Sequence, residues 1–483
     1  MTDAVLIGID VGTTSVKAVM LSVTGQRLAE FAASYPTRRI PPDRVEQDPQ
    51  DWLRLVTAAL TGFADRPEAA RVRAICLTSQ VNTHVFVDGA VNVLYPAIVW
   101  QDGRAAAAGA RLDAKVSAAQ KTEWLGAPIP LDASHALSRM AWIKATHPEV
   151  WKATAQVMLP RDFLIARLTG AVVADPISSV GLVTPALGYA TGLIALLPGA
   201  RQRLAPLRDP LSVAGHIREG QPFAGVPVIT GMMDAWASLL GLGVASEGQA
   251  MYLSGTSEVL GLISATITGE PGVITFPPWA GITLHAGPTQ AGGASLDWVA
   301  RLLGQDPAAL AAHAAPITRH SPLFLPHLQG ERAPLWDATA RGTFAGLTSA
   351  TGPAELTAAV MEGVAFSARL AMEALQRSAG VIPAQIQTGG GGAASDRWCQ
   401  MRANVFGRTF LRVEGRDPGA LGAAVMAGVG VGLLPNLAQA AALMIRTDRV
   451  FEPDMQAKAL ADDRFALWQR LYAQIRPINE ALA

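Results

Sequence analysis

Four stretches of the chain hold residue types suited to handling a phosphorylated ligand. The first is Asp10-Val11-Gly12-Thr13-Thr14-Ser15, set between an apolar run ending at Ile9 and a second one from Val16 to Leu21. A glycine with three hydroxyl residues at a chain reversal exposes backbone N–H and side-chain O–H donors with little bulk before them, which suits a polyanion. Asp10 would repel a bare phosphate, so its place beside the turn points to a Mg²⁺ held between carboxylate and phosphates. The second stretch repeats the first: Gln249–Ser264 again reads strand, Ser254-Gly255-Thr256-Ser257, strand. The third is Gly389-Gly390-Gly391-Gly392, between the apolar run at Ile386 and a helical pattern from Asp396, where a flat ring or a phosphate could approach the backbone. The fourth is Asp234 in Gly231-Met232-Met233-Asp234, at the junction of an apolar run and a helix. It suits an N-cap, and the helix dipole would also keep it ionised, as a general base requires.

These residues need elements to position them. Val72–Ser79 reads as a buried strand that ends in the polar group Thr78-Ser79-Gln80-Val81-Asn82-Thr83-His84. Open α/β sheets place ligands beyond the carboxyl ends of such strands, although a surface loop would have the same composition. Asp48 and Pro49 open a helix whose stripe is Trp52, Leu55, Val56, Ala59, Leu60 and Phe63. Short strands are expected at Val85–Val87, Ala97–Trp100 and Val226–Thr230, and residues 105–220 read as mostly helical. Later come a helix after Ala291, a long helix carrying Leu356, Val360 and Val364, and a helix Asp396–Phe406. The repeated turn predicts a duplicated α/β architecture, divided at a short hinge near Gly243–Gly248, with a nucleotide clamped between the halves.

The 483 residues suffice for two large cores, and 39 Lys+Arg against 39 Asp+Glu give no charge that points to nucleic acid or an anionic membrane. Two cysteines, Cys76 and Cys399, lie far apart with no metal-ligand spacing, so a reducing, cytoplasmic setting is expected. Met1–Ala4 has no basic leader character. Pro418–Ile445 carries no charge, but its glycines, alanines and the break at Pro435-Asn436 read as two packed helices, not a membrane span.

Taken in order, these pieces resemble the FGGY carbohydrate kinases over nearly the whole length. The resemblance rests on DVGTTS, VEQDP at 45–49, AIVWQDGR at 97–104, GMMDAWA at 231–237, SGTS, GGASLDW at 292–298, the 330–347 stretch GERAPLWDATARGTFAGL, and TGGGGAASDRWCQMRANVFGR at 388–408. Gly342, Phe344, Gly346, Leu347, Glu355, Leu356, Ala359 and Glu362 have the spacing of the family's C-terminal signature. The resemblance implies two RNase H-like (actin/hexokinase-type) domains, 1–245 for sugar, first phosphate turn and base, 246–483 for second phosphate turn and adenosine. It implies ATP-dependent phosphorylation of a sugar or polyol hydroxyl with Mg²⁺. Asp234 then matches the general base and Asp10 the metal-associated carboxylate. Thr13 and Thr14, with Gly255 and Thr256, match the phosphate turns, which are expected to face each other across a cleft. Gly293 borders the phosphates, and Gly390, Gly391 and Gly392 match the adenosine loop.

Gln80, Val81, Asn82 and Asp234 fall at the sugar site, with His84 a candidate beside it. The layout is closest to the xylulokinases, yet their Gln-Met-His-Gly is here Gln80-Val81-Asn82-Thr83, and the Asn that usually follows their Asp is Ala235. The Arg-Glu pair of glycerol kinases aligns with Val81-Asn82, so both charges are missing, which disfavours glycerol. A ketopentose such as xylulose is the expected substrate; ribulose, glycerol or an erythritol-like polyol are alternatives. A non-catalytic sugar or nucleotide-binding regulator of the same fold is the rival of another class, disfavoured by Asp234 and by the lack of a basic DNA-binding addition. Trp236 suits either a sugar face or the helix core. No protein partner is implied beyond a homodimer, which the composition permits.

Overall fold

The structure is a computed structural model that describes residues 3–415 and 417–482; Met1 and Thr2, part of the stretch read for a leader, lie outside them. The chain forms two compact units, Met1–Gly241 with Gly419–Met444, and Leu242–Pro418 with Ile445–Ala483.

The first unit is built on a six-stranded sheet in the order 213–216, 227–229, 72–79, 5–11, 15–22, 27–34. Val5–Val11 pairs antiparallel with Ser15–Ser22 and parallel with Val72–Ser79. It is therefore covered on both sides, and its apolar run is continuous because both faces are buried. The helix Pro49–Ala64 starts at the Asp48 cap, which accepts from the Gln50 N–H at 2.9 Å, and buries the stripe expected from the sequence. A five-stranded antiparallel sheet, 38–40, 44–47, 93–98, 84–87, 156–158, forms a second layer of this unit.

The second unit repeats the plan. Its seven-stranded sheet runs 274–275, 283–288, 258–264, 250–254, 385–389, 409–413, 447–451. Ala250–Ser254 pairs antiparallel with Glu258–Ser264 and parallel with Gln385–Gly389, as Val5–Val11 does with its neighbours. The duplication inferred from the two Gly-Thr turns is thus a repeat of strand order and direction. The long helix Pro353–Ala379 covers this sheet, and helix Asp396–Phe406 has the bounds read from the sequence.

Three local expectations differ. The strand expected at Ala97–Trp100 is Val93–Ile98; just past it the Val99 carbonyl accepts from the Arg139 guanidinium at 2.6 Å. The strand read at Val226–Thr230 spans only Pro227–Ile229. Residues 105–220 are helical up to Gly170. Beyond it only Thr191–Ile194 and Arg201–Arg203 wind into short helical turns, since Pro176, Pro185, Gly181, Gly188 and Pro198 interrupt the backbone.

The uncharged segment forms helices Pro418–Gly430 and Leu437–Met444, and no described helix is long and apolar enough to cross a membrane. From Gly419 onward the first of these belongs to the first unit and lies directly on its central strand. A Cβ at Gly8 would collide with the Ala420 carbonyl and come within 2.5 Å of the Ala424 nitrogen; one at Gly422 would collide with the Ala237 carbonyl. Backbone cannot yield as a side-chain tip can. Gly8→Ala is therefore expected to destabilise the protein by about 1–3 kcal/mol, read as a lower urea midpoint with an unchanged slope.

Candidate functional site

In the first unit, Gly12, Thr13 and Thr14 sit at the tip between the two antiparallel strands, with Thr14 exposed. Their carbonyls are already engaged. The Tyr35 hydroxyl donates to Gly12 O, the Gln47 amide to Thr13 O at 2.7 Å, and the Tyr35 N–H to Thr14 O at 3.2 Å. Trp100 Nε1 donates to Thr13 Oγ1 at 3.1 Å. The Gly12 N–H closes the turn onto Ser15 O at 3.1 Å, so the donor character an anion requires rests on Thr13 and Thr14. Asp10 stands in register with Lys17 and Thr78 on the strands either side, half-buried. Gly419 faces it: a Cβ there would lie 2.6 Å from Asp10 Oδ2.

Asp234 opens helix Asp234–Gly241. The chain reaches it through Gly231, whose φ of +67° is accessible to glycine and whose missing Cβ would meet the Leu77 carbonyl. A β-bridge between Ser79 and Met233 holds Asp234 beside the end of Val72–Ser79. Its Oδ1 accepts the Ala235 N–H at 2.8 Å, but burial outweighs this bond and raises the carboxyl to about 6. Desolvation therefore outweighs the helix end in setting this group's pKa, which still leaves it ionised at neutral pH. Trp236 is fully buried and belongs to the core.

The loop Gln80-Val81-Asn82 follows the same strand. Gln80 is buried and its Nε2 donates to Gln47 Oε1 at 2.8 Å, so Gln47 ties this loop to the Gly12–Thr14 turn. Asn82 takes a left-handed φ of +54°, and its carbonyl accepts from Arg139. Arg139 also donates to Ile98 O at 2.8 Å, Val99 O at 2.6 Å and Ala133 O at 3.2 Å, and meets His84 Nδ1 at 3.0 Å. Burial pulls its guanidinium down to about 9 and holds His84 well below the usual imidazole value, so His84 is neutral and accepts from Arg139. His84 therefore acts through the loop's framework. A cavity of about 40 Å³, bounded by Asn82, His84, Asp162 and Ser178 among others, lies behind it.

The second unit carries the other turn and the glycine loop. Gly293 and Ala294 donate their N–H groups to Gly255 O at 2.9 Å and Thr256 O at 3.0 Å, so helix Gly293–Leu303 starts against the turn. Gly390, at φ +88°, passes over the Ser254 carbonyl without room for a Cβ. Arg402 donates to Ser254 Oγ at 2.8 Å and Glu258 Oε1 at 3.2 Å, all three residues being buried, and to the half-buried Gly392 O at 3.2 Å. Burial lifts Glu258 to about 7 against the pull of Arg402. Gly255, Thr256, Gly293, Gly391 and Gly392 line one cavity of about 820 Å³, whose apolar walls include Leu296, Pro307, Ala308, Ala311 and Ala312. Gly390 is not among its lining residues; it makes the turn that brings its two neighbours there.

Several contributors escaped the sequence reading. Arg139 and Arg402 are ordinary helix positions in the pattern, and only their burial marks them. The apolar wall from helix Pro307–His313 is plain alanine in sequence. Four of the motifs turn out to carry braces. Asp102 of the 97–104 stretch accepts Arg104 at 2.6 Å and the Val45 N–H at 2.5 Å, and Arg104 reaches Glu46 of VEQDP at 2.9 Å. Glu331 of GERAP accepts from the Gln290 N–H, His327 at 3.0 Å and Ser367 at 2.9 Å, steadying the approach to Gly293. Glu362 of the C-terminal signature pairs with Arg464 at 2.6 Å.

The repeated sheet order of the two units and the turn at the tip of each central hairpin fit a carbohydrate kinase of the actin/hexokinase-type fold, and comparison with known proteins agrees. Residues 5–241 match the N-terminal domain and residues 250–431 the C-terminal domain of the FGGY family of carbohydrate kinases. The chain belongs to that family and is an ATP-dependent sugar kinase. It is 30% identical to the xylulose kinase of Escherichia coli (strain K12) over 98% of this chain and 99% of that one. The glycerol kinase of Geobacter sp. (strain M21) is 28% identical, covering 96% and 97% respectively. The structure of ligand-bound xylulose kinase from Lactobacillus acidophilus superposes with a TM-score of 0.88 at 25% identity, over 99% of this chain and all (100%) of that one.

Arg402→Met strands Glu258 in an apolar setting, so a loss of about 3–5 kcal/mol is expected in denaturant melts. Adding Glu258→Gln should return much of it, while the affinity for an ATP analogue stays weakened because Gly392 has lost its anchor.

Proposed function

We propose that this kinase transfers the terminal phosphoryl group of ATP to a hydroxyl of a ketopentose such as D-xylulose, with Asp234 as general base. The observation that carries the reading is the state of Asp234. It is a half-buried carboxyl near 6, bridged to the end of the strand that leads into Gln80–Asn82, in the same unit as the Gly12–Thr14 turn. A base of that pKa is ionised at neutral pH and still basic enough to take a hydroxyl proton as the new O–P bond forms. Gln80 and Asn82 offer amide groups to sugar hydroxyls, with Val81 between them. Thr13, Thr14 and Thr256 supply donors for the phosphates, Gly12, Gly255 and Gly293, whose N–H groups are spent within the turns, leave the phosphates room to approach, and Gly390–Gly392 with the alanine-lined wall receive the adenosine. Such transfer depends on alignment and charge stabilisation more than on covalent chemistry of the protein.

The residues also suit Mg²⁺. No group of three or more His, Cys, Asp or Glu among the described residues could hold a metal alone, and Mg²⁺ commonly takes one or two carboxylates with substrate phosphates. Asp10 would hold it, and the ion would offset charge on the transferring group. The substrate assignment draws on the xylulose kinase names of the relatives and on the missing Arg-Glu pair at Val81-Asn82. The two proposed units of function are 1–245 and 246–483, the stretch Gly419–Met444 packing with the first.

Asp234→Asn should lower turnover by about 10²–10⁴-fold while binding of an ATP analogue persists; turnover within a factor of a few of wild type excludes Asp234 as base. Because protonation removes the base, kcat should fall as pH drops through about 6, tending to tenfold per unit below it. An ATP-consumption screen over pentuloses, hexuloses, glycerol and gluconate tests the substrate. Fastest turnover on glycerol would overturn the ketopentose assignment.

A further inference from the structure

A second cavity of about 460 Å³ lies in the second unit on the far end of the same elements that line the larger one. Helix Asp396–Phe406 contributes Asp396 and Arg397 to both cavities, and continues into the smaller one with Gln400, Met401, Asn404 and Val405. Helix Pro307–His313 lines the larger cavity through Pro307, Ala308, Ala311 and Ala312, and the chain just beyond it lines the smaller through Ala315, Pro316 and Ile317. Two elements therefore each present one portion to either cavity. The helix that is shared also carries Arg402, whose guanidinium fixes Gly392 and Ser254.

The chemistry of the smaller cavity is one-sided. Ile317, Met401, Val405, Leu460 and Ala461 make an apolar wall. Of its charged residues, Glu362 is committed to Arg464, and Asp396 accepts both Arg412 and Arg449. Arg397 is exposed and has no acid or hydrogen-bond partner among the described residues. An unmatched guanidinium beside an apolar hollow favours an organic anion with an apolar body, its carboxylate or phosphate on Arg397.

We propose that this cavity is an effector site for a small amphiphilic organic anion, whose occupancy alters ATP affinity through helix Asp396–Phe406. The inference rests on the reading of the larger cavity as the ATP site. A ligand that fits the helix better in one arrangement must change nucleotide affinity by the same factor that nucleotide changes its own.

Anilinonaphthalene sulfonate, an aromatic anion that fluoresces when desolvated, is the probe. Titrated into the full-length enzyme saturated with a non-hydrolysable ATP analogue, whose binding is verified by calorimetry, it should still bind at one site. Ala457→Trp, which fills the hollow from the half-buried face of the last helix, should abolish that binding and leave kcat and the melting temperature unchanged. Arg397→Gln should weaken it by roughly tenfold. The probe should shift the KM for ATP by about fivefold or more in the wild type and not in Ala457→Trp. Probe binding lost on adding the analogue, binding undiminished in Ala457→Trp, or an unmoved KM would each overturn the proposal. An analogue that fails to bind at all would overturn the ATP-site reading instead, and the Ala457→Trp comparison would still decide the cavity.

Discussion

Backbone carbonyls left at the end of a strand must find donors, and in each unit one buried guanidinium supplies them. Arg139 serves the loop after Val72–Ser79 through the Asn82 carbonyl, and Arg402 serves the loop after Gln385–Gly389 through Gly392. The two loops occupy the same topological position, beyond the strand that runs parallel to the central one. Removing a guanidinium from water costs several kcal/mol. Arg139 meets that cost with five acceptors and no carboxylate, Arg402 with Ser254, Gly392 and Glu258. Bonds to a charged donor contribute about 1.5–3 kcal/mol each, so either set is sufficient only when complete. A loop held this way is ordered before its ligand arrives, which lowers the cost of binding.

The second constraint is steric. Gly8, Gly419 and Gly422 let helix Pro418–Gly430 lie against the strand that carries Asp10 and against the helix that Asp234 opens. Both carboxylates are thereby referred to one rigid body within the first unit. The uncharged composition of that helix follows from the contact, because a charged or long side chain would hold the backbones apart.

Much of this was legible in sequence, for identifiable reasons. Turns that need glycine and hydroxyls are written locally, so Gly12–Thr14 and Ser254–Ser257 fall at strand reversals as expected, and helix Asp396–Phe406 keeps both its ends because Ser395 caps it and Gly407 closes it. The stripe from Trp52 to Phe63 was equally plain, being set by helical period. What could not be read were long-range partners. Nothing near Arg139 in the chain announces that it will meet Asn82, fifty-seven residues away. The same holds for Asp102, Arg104 and Glu46, whose pairing into a brace joins positions up to fifty-eight residues apart.

Asp234 shows why local reading misjudged electrostatics as well as partners. A helix end contributes a fraction of a charge and about 0.3–1 kcal/mol at an accessible site, whereas a rise from the ordinary 3.8 to about 6 reflects a larger penalty for the charged form. The penalty is useful only because it stops there. A fully accessible Asp would be ionised but too weak a base to draw a proton from an alcohol, and a deeper one would stay protonated at neutral pH. Burial, offset in part by the N–H groups of Ala235 and of Asp234 itself, puts the group between these limits. The setting is maintained by Gly231, whose left-handed turn against Leu77 seats the helix start at that depth and no other.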